Sequence, residues 1–195
     1  MIVFLFREVA MSVLQVYLVP KVRNGPTFGE GTMYVTGLYL TEYLDKACKG
    51  TDFDHSDFHW EGSGSQVRDT DLVCYVLESS FNSIVANHGA QGDLGGGGST
   101  GWSTKSHAMI SEVYWDAVDG DANTGRLLAN LIFHELMHNK LDAHPTDWLI
   151  QDVHKISGGR VSKVPVSSSS KPSAEDIEAM RKGLKQRVKQ YTGGM

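Results

Sequence analysis

Asn123-Thr-Gly-Arg-Leu-Leu-Ala-Asn-Leu-Ile-Phe-His-Glu-Leu-Met-His-Asn-Lys-Leu141 decides how this 195-residue chain is read. Asn123 and Thr124 are both suited to cap a helix start. Leu127, Leu128, Leu131, Ile132, Phe133, Leu136 and Met137 make the segment apolar nearly all round, which predicts a helix buried on every side. Set into it are His134, Glu135 and His138. Residues four apart lie about 40° from each other on a helix, so the two histidines share a face, with Glu135 about 100° round. Burying two imidazoles and a carboxylate needs a compensating partner, and a metal ion is one.

His134-Glu-Leu-Met-His138 has the spacing of two zinc ligands and a general base. Zinc lowers the pKa of a bound water to about 7, where a neighbouring carboxylate can take its proton. His144 follows ten residues after His134. On one straight helix it would lie about 15 Å further along the axis, so it reaches the same ion only if the chain leaves the helix and doubles back. Pro145 favours that, because it disfavours helical geometry at the residue before it. Asp142, Asp147, Asp152, His154 and Glu175 are the other groups able to complete the metal site.

His134, Glu135, His138 and His144 resemble the signature of the metzincin clan of zinc peptidases. The resemblance implies that the three histidines hold Zn²⁺, that Glu135 is the general base, and that the substrate is a protein or peptide. It also implies a single zincin-like α+β domain: a small twisted mixed sheet, a backing helix, the buried active-site helix and a C-terminal helix. Two departures stand out. The clan's glycine, which eases the turn towards the third ligand, is Leu141 here, leaving Asn139 and Asp142 as the nearby residues that best tolerate left-handed geometry. No Ser-x-Met-x-Tyr methionine turn follows, and Met180 falls within an apolar helical stripe where ordinary core is the expected role. Tyr114 and Tyr191 are the candidates for the clan's oxyanion-assisting tyrosine.

Two further readings stay open. One is a zinc-containing binding protein that has lost catalysis. The other is a peptidase that acts as an effector or toxin delivered to another cell. A purely structural zinc would be closed by a fourth protein ligand and would not need Glu135.

The composition fits one soluble globular domain spanning 1–195, and a net charge of −5 gives no electrostatic footprint for nucleic acid. Cys48 and Cys74 have no metal-type spacing and are read either as a bridge or as two buried thiols. Met1-Ile-Val-Phe-Leu-Phe6 is too short for a membrane span and lacks the basic flank of a secretory signal, so the expectation is a cytoplasmic protein or one exported by a non-standard route. Residues 1–10 are read as an over-extended start, with Met11 as the alternative first residue.

Along the rest of the chain, Val13–Val19 reads as a strand, 33–48 as a helix ending at Gly50, and Leu72–Leu77 as a buried central strand. The Asp- and His-rich stretch 51–70 reads as a solvated loop, and 87–106, with its glycine run, as a flexible surface loop or a flap. His107–Trp115 reads as a strand; by the resemblance it contributes to the edge where an extended substrate pairs. Asp119–Gly125 reads as a turn into the helix, being one glycine place and one glutamate short of a calcium loop. Val161–Val166 reads as a short strand, 167–173 as a polar connector, and 174–191 as a last helix whose charge order suits its dipole.

Overall fold

A computed structural model describes residues 12–22, 29–60, 67–90, 97–141, 168–169 and 171–193. Five strands and four helices make a mixed α+β fold over these residues. In chain order they are β1 (Ser12–Lys21), α1 (Glu30–Cys48), β2 (Phe53–His59), β3 (Leu72–Leu77), α2 (Ile84–Asn87), β4 (Gly98–Ser103), β5 (Ala108–Tyr114), α3 (Thr124–Leu141) and α4 (Ala174–Gly183). The sheet runs β2-β1-β3-β5-β4, with the first four strands parallel and β4 antiparallel to β5.

The strand interiors follow from period-two burial. Leu14, Val16 and Leu18 of β1, Leu72, Cys74 and Val76 of β3, and Val113 of β5 join the main core with α1, α3 and α4. Val19, Val73, Tyr75, Leu77 and Tyr114 point to the opposite face and form a second, smaller cluster. All six residues of β3 are buried, as expected for a central strand with both faces covered. Pro20 lies inside β1 but beyond Tyr17, the last residue that β2 pairs, so among the described residues β1 there has β3 alone beside it.

Helix α1 lays Thr36, Leu40, Tyr43, Leu44, Ala47 and Cys48 on the core, the i, i+4, i+7, i+8 stripe of a surface helix. It crosses α3 closely at Gly125: a Cβ there would stand 2.8 Å from Val35 Cγ1. Thr36 Oγ1 donates to the Gly125 carbonyl at 3.1 Å across the same crossing.

Three loop or helix expectations are corrected. Residues 53–59, read as loop, form β2, because backbone pairing to β1 and the Asp45 carboxylate organise them. That carboxylate accepts from Ser56 N at 2.8 Å and Ser56 Oγ at 2.7 Å. Residues 98–103, placed in the glycine-rich loop, form β4. The last helix stops at Gly183 rather than 191. A Cβ at Gly183 would sit 2.9 Å from Lys140 Cβ, so the helix presses against α3 there, and the chain then turns back to the sheet. Val188 N donates to Asp69 O at 2.8 Å, and Met109 N to Lys189 O at 2.8 Å. Gln190 thereby forms a parallel bridge with Met109, entering the gap between the approach to β3 and the start of β5. The expected strand at 161–166 lies outside the described residues. Cys48 and Cys74 are both buried and free, so the bridge reading falls. Among the described residues no helix is long and apolar enough to cross a membrane.

Candidate functional site

Helix α3 begins where Asp121 folds the chain over. Its carboxylate accepts from Asn123 N at 2.7 Å and its carbonyl from Thr124 Oγ1 at 2.6 Å. Asn123 O takes the first helical donors, from Arg126 and Leu127. Asn123 is thus the residue that opens the helix, with Asp121 supporting it from outside. Gly120 makes the turn at φ +86°, a conformation suited to glycine.

From Leu127 to Lys140 every residue is buried except His134 and His138. The two histidines continue the stripe of Leu127 and Leu131, at i, i+4, i+7 and i+11. Leu131 packs against Gly97, the residue before β4, with its Cδ1 2.6 Å from where a Cβ would stand, so this stripe faces the β4 side of the domain. Between Leu127 and Lys140 the helix is therefore partly exposed at its two imidazoles, on the stripe that faces β4. His134 Nε2 and His138 Nε2 are 3.2 Å apart, with ring planes at 88°. Two nitrogens each about 2.0–2.1 Å from one tetrahedral zinc stand about 3.3 Å from each other. The pair has the spacing of two ligands to one ion.

Glu135 packs against β4 and is 4% exposed. Thr100 Oγ1 of β4 donates to Glu135 Oε2 at 2.8 Å and lies 3.1 Å from the Glu135 carbonyl oxygen. Glu135 Oε1 lies over Gly98, 2.8 Å from the position of an absent Cβ. One turn later Asn139 Nδ2 donates to Ser111 Oγ of β5 at 2.9 Å and to Gln190 Oε1 at 2.9 Å. Lys140, 1% exposed, directs Nζ at the carbonyls of Asp69, Thr70 and Gln186, 3.2 to 3.4 Å away. Burial lowers its pKa to about 8, against the pull of Asp71 and Asp69.

His144 lies outside the described residues, as do Asp142, Asp147, Asp152 and His154. Glu175, the remaining alternative ligand, is exposed in the first turn of α4. Among the described residues no group of three His, Cys, Asp or Glu side chains is placed to hold a metal. In the Asp/His-rich stretch, His59 Nε2 is 2.5 Å from Gln15 Oε1 and its ring stacks on Tyr17.

The two tyrosine candidates belong elsewhere. Tyr114 is in the second cluster, on the face away from α3, and donates to Glu112 Oε1 at 2.8 Å. Tyr191 packs against that same cluster, with its hydroxyl 3.0 Å from His88 Nε2. Met180 is fully buried in the main core, the ordinary role expected of it. The expected substrate edge at 107–115 is also corrected: β5 lies inside the sheet between β3 and β4, and the edge is β4. What the sequence reading missed is β4 and its Gly98 and Thr100, which carry no motif. The glycine run was their trace in the sequence.

Comparison with protein-family models, with curated proteins and with solved structures finds no match to this chain.

Proposed function

We infer that this protein is a zinc-dependent metallopeptidase of metzincin-like build. The observation that carries the reading is α3, which is buried along 127–140 except at two histidines whose Nε2 atoms are 3.2 Å apart. His134 and His138 would hold the ion with His144, the third residue of the signature. Zinc bound there supplies Lewis-acid polarisation of a carbonyl and an acidified water.

The chain's own residues do the rest. Glu135, next to the ligand face and anchored on β4, is the proton acceptor and later donor. Strand β4 ends the sheet beside the histidines, so an extended peptide can add to it as a further strand. Both the antiparallel edge and the site-bearing helix behind it support a zincin-like arrangement.

Zinc per chain by elemental mass spectrometry, in wild type and in His144→Ala under mild chelation, tests the ligand set. One zinc in the wild type, readily lost from the variant, is the expected result. No zinc in either would overturn the reading. Equal retention would move the third ligand to Asp142, Asp147, Asp152, His154 or Glu175.

A further inference from the structure

The general base of a hydrolytic site needs a fixed rotamer, and Glu135 obtains one from β4. Two residues on the same face of that strand act on it differently. Gly98 supplies space: a Cβ there would stand 2.8 Å from both Cγ and Oε1 of Glu135 and 2.6 Å from the Glu112 carbonyl oxygen. Thr100 supplies a donor, its hydroxyl 2.8 Å from Oε2. The hydroxyl has one proton and two nearby acceptors on the same residue, and the shorter contact is to the carboxylate. Oε2 is therefore the anchored oxygen, while Oε1 lies over the bare Gly98 backbone.

The geometry points to Thr100 as a positioning residue for Glu135, with Gly98 as the space into which the carboxylate is seated. This rests on the peptidase reading above. Thr100 meets the edge of the site through β4, the strand to which a substrate would add, so seating of the base and docking of the peptide share one strand. Removing the hydroxyl leaves Glu135 in place on its helix but free to change rotamer. Loss of such a supporting hydrogen bond to a site residue typically costs about 10- to 100-fold in activity.

Thr100→Val keeps the shape and removes the donor, and Thr100→Ser keeps the donor. The expected result is a fall of about 10- to 100-fold in kcat for Thr100→Val, with KM and zinc content unchanged and Tm only lowered by the lost hydrogen bond, and recovery of kcat in Thr100→Ser. A second readout needs no turnover. In the metal-free full chain, the Thr100 hydroxyl proton should exchange slowly by NMR, and faster in Glu135→Ala. Wild-type kcat in Thr100→Val, or a Thr100→Ser variant as impaired as Thr100→Val, would overturn the inference while leaving the peptidase reading intact. So would a Thr100 hydroxyl whose exchange ignores Glu135→Ala. A zinc-loaded wild type that cleaves no peptide would overturn the peptidase reading and this inference with it, and the missing wild-type baseline tells that case apart.

Discussion

Asn139 and Gln190, 51 residues apart, hold each other by both ends of their side-chain amides, Nδ2 to Oε1 at 2.9 Å and Nε2 to Oδ1 at 2.9 Å. Asn139 is fully buried and Gln190 nearly so. The pair fastens the last described segment to the helix that carries the histidines, one residue beyond His138. Gln190→Leu would leave the Asn139 carbonyl oxygen without this donor. The expected loss is about 1–3 kcal/mol of folding stability, read by urea denaturation of the metal-free protein. A midpoint equal to wild type would show that the pair contributes nothing.

Glu135→Ala tests the catalytic assignment. Its side chain lies against β4 and is not one of the proposed ligands, so zinc content and far-UV circular dichroism should be preserved. Peptide turnover should fall about 10²- to 10⁴-fold, the usual range for removing a general base. Undiminished turnover would remove Glu135 from the mechanism.

Gly98→Ala should be among the more damaging single-methyl additions in this chain. The new Cβ meets a backbone carbonyl at 2.6 Å, which cannot step aside as a flexible side chain would. Overpacking of this kind costs about 1–3 kcal/mol. Calorimetry should show a lowered Tm, and turnover should fall as well because Glu135 is displaced. At Gly29, where a Cβ would meet nothing within 4 Å, an alanine serves as the control.

The thiols give a pH prediction. Burial raises the Cys48 pKa to about 12 from an ordinary 9.0, and Cys74 is raised as well. Neither should react with iodoacetamide at pH 8 while the protein is folded. Between about pH 9 and 12 the unfolded chain loses the Cys48 proton and the folded chain keeps it, so the unfolded state binds fewer protons and stability falls as pH rises. Cys48→Ala should flatten that alkaline slope in denaturation midpoints; an unchanged slope would assign it to other groups.

Some of this architecture was legible in the chain and some was not, for physical reasons. Helix α3 announces itself because an apolar run with helical caps holds a spaced histidine pair. Strand β3 does so because Leu72–Leu77 is apolar without a break. Strand β2, Phe-Asp-His-Ser-Asp-Phe-His, carries little apolar patterning; its order comes from β1, distant in sequence, and from the side chain of Asp45 in the preceding helix. Strand β4, Gly-Ser-Thr-Gly-Trp-Ser, reads locally as a linker. Gly98 is there because the Glu135 carboxylate and the Glu112 carbonyl lie against it, a requirement visible only once helix and strand are brought together. The histidine pair and Glu135 could be named from spacing, whereas Thr100 could not, because its part depends wholly on which strand lies across from it.

The bridge from Gln190 to Met109 also sets an order of events during synthesis. Until residues 188–191 have been made, the approach to β3 and the start of β5 lack the backbone between them, and Asn139 lacks its amide partner. The helix bearing the histidines thus takes its final seat only after some fifty further residues have left the ribosome, so a nascent chain carries the site's residues well before it carries a finished site.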